Sequence, residues 1–420
     1  MNANSRETDD SFFKLVSVSE ICKISLGGTP KTDIKDFWGG PVKWATAKDI
    51  VNNQGRYITS TERTISLSGV DNSNAKIFPK GTIVVTSRGT VGVISILGIP
   101  MSFNQTCYGL STDDKVNSLF LYYALRNSIE KMLSLSYGTV FQTITIKTFQ
   151  ELKIPLPTIE EQQAIAKILS DLDEKMELNN QMNKTLEDIA QAIFKRWFID
   201  FEFPNENGEP YKSSGGEMVE SELGMIPKGW EIGQIYSLAD VLYGAPLSSG
   251  LFNTSERGIP IIRIRDLEKQ NPNTYTTEKV DKKYLVRPGE ILVGMDGEFR
   301  VYIWRHFEAL LNQRICKFIP KNDVSNVFLF FSLQEPMNFF ERSKVGTTVI
   351  HLGKTDIDQM RFFLPPEKIM SEFKNALDVI FNKIVLSSLE SKNLSKIRDL
   401  LLPKLMTGKI RVPLEGQNVE

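Results

Sequence analysis

The pattern of apolar and polar residues is most regular from Thr158 to Phe203, where apolar positions recur in alternating steps of four and three. This seam consists of Ile165, Leu169, Leu172, Met176, Asn179, Asn183, Leu186, Ala190, Ile193 and Trp197. The two asparagines in its middle are its polar members. Because the seam is narrow, it predicts a long coiled-coil helix that requires a partner helix to bury its apolar face.

A second long helix is predicted over residues 367–412, with apolar residues at comparable intervals and a polar middle formed by serines. Its apolar positions are Phe373, Leu377, Ile380, Ile384, Leu394, Ile397, Leu401 and Leu405, and the serines are Ser387, Ser388 and Ser391. Antiparallel pairing would bring the two polar middles together and fix the register at some cost in stability. The residues expected to pair the helices are Leu169, Leu172, Met176, Asn179, Asn183, Leu186, Ile193, Leu377, Ile384, Leu394 and Leu401.

Outside these helices, short apolar runs separated by glycine and proline predict small, irregular sheets. Val42–Ile50 is predicted as one strand, and Thr82–Thr86 and Val91–Leu97 as two strands joined by a tight turn. An amphipathic helix is predicted over residues 118–133.

The chain also repeats itself. Matching residues lie 208 positions apart in three pairs and 217 apart in a fourth, and the pairs are Gly81/Gly289, Asn104/Asn312, Gly138/Gly346 and Asp49/Asp266. A shift that stays constant over a long stretch predicts two diverged copies of one structural unit. We therefore predict an α+β fold with a pseudo-twofold internal repeat, in which two similar globular domains are separated by two long antiparallel coiled-coil helices.

These patterns set the expected domain boundaries. They comprise a flexible N-terminus (1–11), a first globular domain (12–157), a first long helix (158–203), a linker rich in Gly, Ser, Pro and Glu (204–226), a second globular domain (227–366), a second long helix (367–412) and a tail (413–420).

Composition narrows the class of protein. The formal net charge is −1, so any surface that binds nucleic acid has to be local or shared with another protein. The three cysteines lie far apart in sequence, which favours a reducing compartment over a disulfide framework. Without an apolar run of membrane-spanning length or a signal-peptide pattern, we expect a cytoplasmic protein that does not enter a membrane.

Catalytic motifs are missing from the sequence. His306 and His351 are the two histidines, and neither has partners at metal-ligand spacing. No phosphate-binding loop, nucleophile elbow or dinucleotide fingerprint occurs. Asp296 and Glu298 are paired acids, but as an isolated pair they are more readily loop residues than a nuclease remnant. The chain therefore has the pattern of a binding protein.

Several motifs, taken together, resemble one known family. They are ISLGGTPKTD followed by WATAKDI, then FPKG, FNQ and IPLPTIEEQQAIAKILSDLDEKMELNN, and finally IPKGW, with similar segments in the second half. In this order and occurring twice, they resemble the DNA-specificity subunits of type I restriction–modification systems, over nearly the whole chain.

The resemblance implies a non-catalytic, sequence-specific subunit that binds double-stranded DNA. Each globular domain would be a target-recognition domain that reads one half of a bipartite site. The helices would set the spacing and dock two modification (methyltransferase) subunits, and restriction (translocase and endonuclease) subunits could join. No cofactor is expected in this chain, whereas S-adenosylmethionine and ATP with Mg²⁺ are expected on the partner subunits. A coiled-coil scaffold without sequence-specific DNA binding is the alternative; a self-sufficient nuclease or methyltransferase is disfavoured because no [DNS]-P-P-[FYW] motif occurs.

Positions that match between the two copies are predicted to be structural, including Gln105/Gln313 besides the four pairs above. Positions that differ are candidates for reading DNA, since arginine suits guanine, glutamine suits adenine, and threonine or lysine suits phosphate. The candidates are Trp44, Thr46, Lys48, Arg88, Thr106, Gln142, Thr143, Arg263, Arg265, Arg300, Arg314, Thr348 and His351.

Two further groups lie on the first long helix. Its aromatic end is predicted to be buried against a domain or a partner, and comprises Phe194, Trp197, Phe198 and Phe201. Charged residues off the seam are predicted to be either a solvated face or a docking face, and comprise Glu160, Glu161, Asp171, Glu174, Lys175, Glu177, Lys184, Glu187 and Asp188.

Overall fold

The computed structural model describes residues 12–53, 55–136, 142–321, 323–343 and 350–413. The chain divides into two units: unit 1 comprises residues 1–177 and 394–420, and unit 2 comprises residues 178–393. The expected flexible N-terminus and all but the first residue of the expected tail lie outside the described residues.

Unit 1 contains short strands and helices followed by the start of a long helix. The strands are β1 (Lys14–Ser17), β2 (Lys23–Leu26), β3 (Trp38–Ala45), β4 (Tyr57–Ile58), β5 (Arg63–Ile65), β6 (Ile83–Thr86), β7 (Ile94–Leu97), β8 (Ser102–Phe103), β9 (Cys107–Ser111) and β10 (Lys153–Leu156). The helices are α1 (Val18–Ile21), α2 (Ala47–Asn52), α3 (Leu67–Asp71), α4 (Ser118–Asn127), α5 (Ile129–Ser134), α6 (Ile146–Glu151) and α7 (Ile159–Phe194), which ends in unit 2.

The sheets of unit 1 are small and mixed. One has the strand order β2-β9-β6-β7-β4, a second has β5-β3-β8, and β1 pairs with β10. Strand β6 is buried along its whole length, as its unbroken apolar run predicts. Helix α4 begins where the Asn117 side chain accepts the N–H of Phe120 at 3.0 Å, and it packs Phe120 and Tyr123 into the core. Leu402 and Leu405 of the second long helix complete this core.

Unit 2 has the same kinds of elements. Its strands are β11 (Met218–Ser221), β12 (Gly224–Pro227), β13 (Glu231–Gly233), β14 (Ala239–Tyr243), β15 (Phe252–Asn253), β16 (Ile259–Ile262), β17 (Tyr275–Thr276), β18 (Leu285–Val286), β19 (Ile291–Gly294), β20 (Val301–Ile303), β21 (Ala309–Leu311), β22 (Ile315–Pro320) and β23 (Phe362–Leu364). Its helices are α8 (Ile264–Leu267), α9 (Asn326–Ser343), α10 (Lys354–Gln359) and α11 (Glu367–Thr407), which ends in unit 1.

The core of unit 2 is rich in aromatic side chains. Phe198, at the end of the first long helix, packs against Phe328 and Phe373 with ring centroids 4.7 Å apart in each case. Trp230 stacks on Phe203 at 5.3 Å. The predicted burial of the aromatic end of α7 is thereby confirmed, because these rings fill the core of a domain.

The predicted internal repeat is confirmed by the topology. The order β2-β9-β6-β7 in unit 1 corresponds to β14-β22-β19-β20 in unit 2. The pair β1 and β10 corresponds to β13 and β23, and both pairs are antiparallel. The parallel pair β3 and β8 corresponds to β16 and β21. The fold is therefore α+β with two similar globular parts, as predicted.

The long helices pair in antiparallel fashion within each unit. In unit 2, Asn179 Nδ2 donates to the Ser391 hydroxyl at 3.2 Å, and Trp197 lies 5.5 Å from Phe373. Asn183 Nδ2 donates to the Ser388 hydroxyl at 3.1 Å. The polar residues of the two seams therefore meet, as predicted.

The seam residues differ in how deeply they are buried. Fully buried members are Leu169, Asn179, Asn183, Leu377 and Ile384, and partly buried ones are Leu172, Met176, Leu186, Ile193, Leu394 and Leu401. Ile397 is 45% exposed, so its predicted place in the seam is wrong. The second helix ends at Thr407 because Gly408 adopts a positive φ of 75°, a left-handed conformation that favours glycine.

Three further expectations are corrected. The predicted strand Val42–Ile50 ends at Ala45, because Thr46 starts a helix. The predicted linker 204–226 contains the antiparallel hairpin of β11 and β12. The charged stripe of α7 is not wholly solvated, because Glu161, Glu177 and Glu187 pair with Arg411, Arg56 and Arg305 within their own units.

Candidate nucleic-acid interface

Three chain segments of each unit are joined by equivalent backbone hydrogen bonds where two neighbouring interior strands meet the same rim of the sheet. In unit 1, the Ser87 N–H donates to the Thr106 carbonyl at 2.7 Å, and the Ile144 N–H donates to the Ser87 carbonyl at 3.1 Å. In unit 2, Met295 donates to Arg314 at 2.9 Å, and Leu352 donates to Met295 at 2.8 Å. Each residue of the second set stands 208 positions after its counterpart. We call this arrangement the edge frame.

Matching side chains support the edge frame, as predicted for positions shared by the two copies. The Asn104 side chain accepts the Thr106 N–H at 3.2 Å, and the Asn312 side chain accepts the Arg314 N–H at 3.2 Å. Gly81 and Gly289 have φ values of 90° and 92°, a backbone conformation that would be strained in a residue with a side chain. Gln105 accepts a hydrogen bond from the Thr29 hydroxyl. Gly138 and Gly346 lie outside the described residues.

The edge frame brings two predicted DNA-reading residues of unit 2, Arg314 and His351, into one cluster with Asp296. The Asp296 carboxylate lies 3.0 Å from Arg314 Nη1 through Oδ2, and 2.7 Å from His351 Nδ1 through Oδ1. The Asp296 side chain is 19% exposed, whereas those of Arg314 and His351 are 57% and 52% exposed. The repeat sets Asp296 against Arg88, at a shift of 208, as a position that differs between the copies. The sequence did not predict that Asp296 lies between the arginine and the histidine.

The same positions of unit 1 carry different chemistry. Arg88 is exposed in the turn between β6 and β7. The Thr106 hydroxyl donates to the Asn104 side chain at 2.6 Å. Gln142 is exposed and Thr143 is half-buried next to the edge frame. Unit 1 therefore presents one arginine among neutral polar groups where unit 2 presents an acid with two basic partners.

A helix start adjoins the edge frame in each unit. Thr46 caps α2: the Asp49 carboxylate accepts the Thr46 N–H at 2.8 Å and its hydroxyl at 2.6 Å. Burial alone would raise the pKa of Asp49, but hydrogen bonds from Thr46 and the Glu62 N–H lower it. In unit 2, Asp266 accepts the Arg263 N–H at 3.0 Å. Asp49 and Asp266 are structural, as predicted.

Some predicted DNA-binding residues are placed differently from expectation. Trp44 is 4% exposed and donates from its indole nitrogen to the Gly28 carbonyl at 2.9 Å, so it supports the core and does not form part of the surface. The polar groups of Thr46 and Arg263 are engaged at the helix starts, Arg263 also donating to Asn273 at 2.9 Å. Burial keeps Trp44 from the surface, so that prediction is wrong, whereas DNA contact by the half-buried Thr46 and Arg263 stays a prediction.

The remaining predicted residues are exposed or lie beyond the described chain. Lys48 pairs with Glu62 at 3.2 Å on the surface, and Arg300 pairs with Glu298 at 3.4 Å. Arg265 is exposed on α8. Thr348 lies outside the described residues.

Sequence reasoning missed a buried charge network where α7 meets the globular part of unit 1. Asp173, 4% exposed, accepts the Tyr123 hydroxyl and Arg398 Nη1, both at 2.6 Å. Arg56, also 4% exposed, donates to both carboxylate oxygens of Glu177 at 3.0 and 3.1 Å. Burial works against the charge of Arg56, but the acids nearby raise its pKa. This network fixes unit 1 on the parts of the helices that belong to it.

Reactive chemistry is sparse in the part of the chain that the structure describes. Among those residues, no three His, Cys, Asp or Glu side chains group as a metal site. Burial raises the pKa of Cys107 and Cys316 to about 12, which suits small core groups and not nucleophiles. None of the described helices is both long enough and apolar enough to cross a membrane.

Comparisons with known proteins agree with the arrangement. The family model described as the type I restriction modification DNA specificity domain matches residues 11–215 and 227–395. A protein named as the type I restriction enzyme MjaIX specificity subunit, from Methanocaldococcus jannaschii, is 32% identical over 416 residues, covering 94% of this chain and 93% of that protein. The HindI specificity subunit from Haemophilus influenzae is 29% identical and covers 70% of this chain and 77% of its own length.

A solved structure shares the fold. It is the crystal structure of a type I restriction–modification system S subunit from M. genitalium, with a TM-score of 0.61 and 17% identity. The match covers 97% of this chain and 98% of that one.

Proposed function

Because the chain belongs to the family of type I restriction–modification DNA-specificity proteins, we propose that it binds double-stranded DNA at a bipartite sequence, each unit reading one half. The observation that carries the proposal is the edge frame, since the same backbone arrangement occurs twice with different side chains at equivalent positions. Two readers of unlike half-sites need this combination, because a shared frame positions the protein while the differing side chains specify the bases.

The long helices support the proposed assembly with other subunits. Both carry large apolar side chains that remain exposed, including Leu178 at 59%, Val379 at 69% and Leu400 at 65%. Single exposed apolar residues are ordinary on a protein surface, so these side chains are candidate contacts and the docking proposal rests on the family assignment. We infer that two modification subunits dock on these helices, that the helices set the gap between the half-sites, and that restriction subunits can join the complex.

Cofactors and location follow from this assignment. S-adenosylmethionine would be held by the modification subunits, and ATP with Mg²⁺ by the restriction subunits, so this chain needs no cofactor of its own. The assembly would act on DNA in the cytoplasm.

The proposal is tested with the full chain purified in complex with its modification subunit. The complex is incubated with a randomised DNA library, and methylated adenines are mapped by sequencing. One bipartite motif with a fixed gap is expected. Methylation without a sequence preference would overturn the proposal and favour the alternative of a coiled-coil scaffold.

A second experiment tests the division of labour between the units. Residues 238–361, which form most of the globular part of unit 2, are exchanged for the same region of a related protein with another specificity. One half of the motif should change and the other should stay. A change in both halves would show that the units do not read independently.

A further inference from the structure

The edge frame of unit 2 places a carboxylate beneath two basic side chains, and this arrangement points to one reading residue. Resting on the proposed function, we propose that Asp296 is a positioning residue that holds Arg314 for contact with a guanine in the half-site read by unit 2.

Asp296 is the least exposed of the three side chains in the cluster. Asp296 is 19% exposed, whereas Arg314 is 57% exposed, so the carboxylate lies below and the guanidinium above it. One nitrogen of Arg314, Nη1, contacts Asp296 Oδ2 at 3.0 Å. A guanidinium has five N–H donors in a planar fork, so a single contact at Nη1 leaves donors for another partner.

The donors of Arg314 match the acceptors of one base, guanine. Guanine presents two acceptors, O6 and N7, at its major-groove edge, and a bidentate arginine is the commonest specific contact to them. A flexible arginine loses side-chain freedom when it binds, and a carboxylate that holds it beforehand reduces this loss. Asp296 therefore favours the bound orientation of Arg314 before DNA arrives.

Each carboxylate oxygen of Asp296 has a basic side chain beside it. A carboxylate near DNA repels phosphates, yet both oxygens of Asp296 are occupied, Oδ1 by His351 at 2.7 Å and Oδ2 by Arg314. Arg300, in the same loop as Asp296, pairs with Glu298 at 3.4 Å. The two basic partners thus reduce the repulsion between the carboxylate and DNA phosphates, and the carboxylate acts by holding Arg314.

At the equivalent positions, unit 1 lacks this carboxylate–arginine pair. The equivalent positions there carry Arg88 in place of Asp296 and Thr106 in place of Arg314. The carboxylate and the held arginine are therefore both specific to unit 2, although the backbone frame is shared. We accordingly expect the contact between guanine and a carboxylate-held arginine only in the half-site read by unit 2.

The experiment measures kcat/KM for methylation by the full complex on duplexes in which each guanine of the second half is replaced in turn. The variants are Arg314→Gln, Asp296→Asn and the double variant. Arg314→Gln should reduce the preference for guanine at one position by about 5- to 150-fold, which is the discrimination of one bidentate contact. Asp296→Asn should reduce it at that same position, and the double variant should resemble Arg314→Gln, because the residues act as one unit.

Two controls separate positioning from folding. Arg287→Gln removes another exposed arginine of unit 2, which pairs with Glu308 at 3.4 Å. Arg287 precedes β19, whereas Asp296 follows that strand. This variant should leave the base preference of the complex unchanged. Asp296→Glu retains the charge and should restore part of the guanine preference even if Asp296→Asn lowers the melting temperature.

The outcomes are distinct. An Asp296→Asn variant that slows methylation of all sequences equally, with the guanine preference intact, would overturn the inference, as would additive effects in the double variant. A wild-type complex with no sequence preference would instead overturn the proposed function, so the two failures are distinguishable.

Discussion

Neutralising Asp173 should destabilise unit 1 more than any exposed charge on the same helix. Its carboxylate is 4% exposed and accepts the Tyr123 hydroxyl and Arg398 Nη1 at 2.6 Å each, with Arg56 Nε at 3.9 Å. Asp173→Asn retains the shape but removes the charge, so two largely buried guanidinium groups lose a counter-ion.

The loss of stability in Asp173→Asn depends on which ion pairs Arg56 and Arg398 retain. Breaking a buried ion pair costs about 3–5 kcal/mol. The lower end applies, because Arg56 keeps its bidentate contact with Glu177 and Arg398 keeps Asp399 at 2.7 Å. A loss of about 3 kcal/mol lowers the melting temperature of a unit of this size by roughly 6–12 °C.

The assay combines thermal unfolding of the full chain with hydrogen exchange of peptides from α4, which locates the loss in unit 1. Asp171→Asn is the matched control, because Asp171 lies two residues away on α7 and pairs with Lys167 at 2.8 Å on the exposed face. Exposed pairs contribute little, so the control should melt like the wild type. If Asp173→Asn shifted the melting temperature no more than the control, the network would be no stronger than a surface pair.

Three other outcomes are expected. Burial and the hydrogen bond to Asp358 raise the pKa of Tyr236 to about 12, so the folded state keeps a proton that the unfolded state loses near pH 10. The free energy of unfolding should therefore have its full value below about pH 10 and fall as the pH rises through 12. Tyr236→Phe should flatten this fall in urea titrations. Asn183→Ala should destabilise unit 2 by about 1–2 kcal/mol in the same titrations, because the 2.5 Å bond from the Ser387 hydroxyl is lost. Arg88→Gln should reduce the preference for one base in the half-site read by unit 1, measured by fluorescence anisotropy on duplexes substituted at each position of that half; equal weakening for all sequences, with a salt-dependence slope lower by about 1, would show a phosphate contact instead.

The long helices could be predicted from the sequence because their signal is local. A heptad seam requires side chains at fixed spacing along one helix, and the asparagines in its middle indicated the polar contact that Asn179 and Asn183 make. The predicted second seam was less accurate, because Ile397 fits the spacing between Leu394 and Leu401 yet is 45% exposed.

The buried network could not be predicted, because its members come from distant parts of the chain. In the sequence, Asp173 looks like any charged residue of a helix and Arg56 like any arginine of a loop, and only the fold shows that they are neighbours. The same limit applies to Trp44, which differs between the copies but is buried and donates a hydrogen bond to the Gly28 carbonyl. Sequence difference alone therefore identifies variable positions without distinguishing those in the core from those on the surface.

The edge frame explains how two copies of one fold can diverge in what they read. Its hydrogen bonds run between backbone groups, so they do not depend on the side chains at the reading positions. Supporting contacts come from residues that both copies share, such as Asn104 and Asn312. Arg88 and Asp296 can therefore have opposite charges at equivalent positions without disturbing either fold. A change of specificity then requires side chains that are compatible with each other, as Asp296 is with Arg314, more than it requires a new backbone.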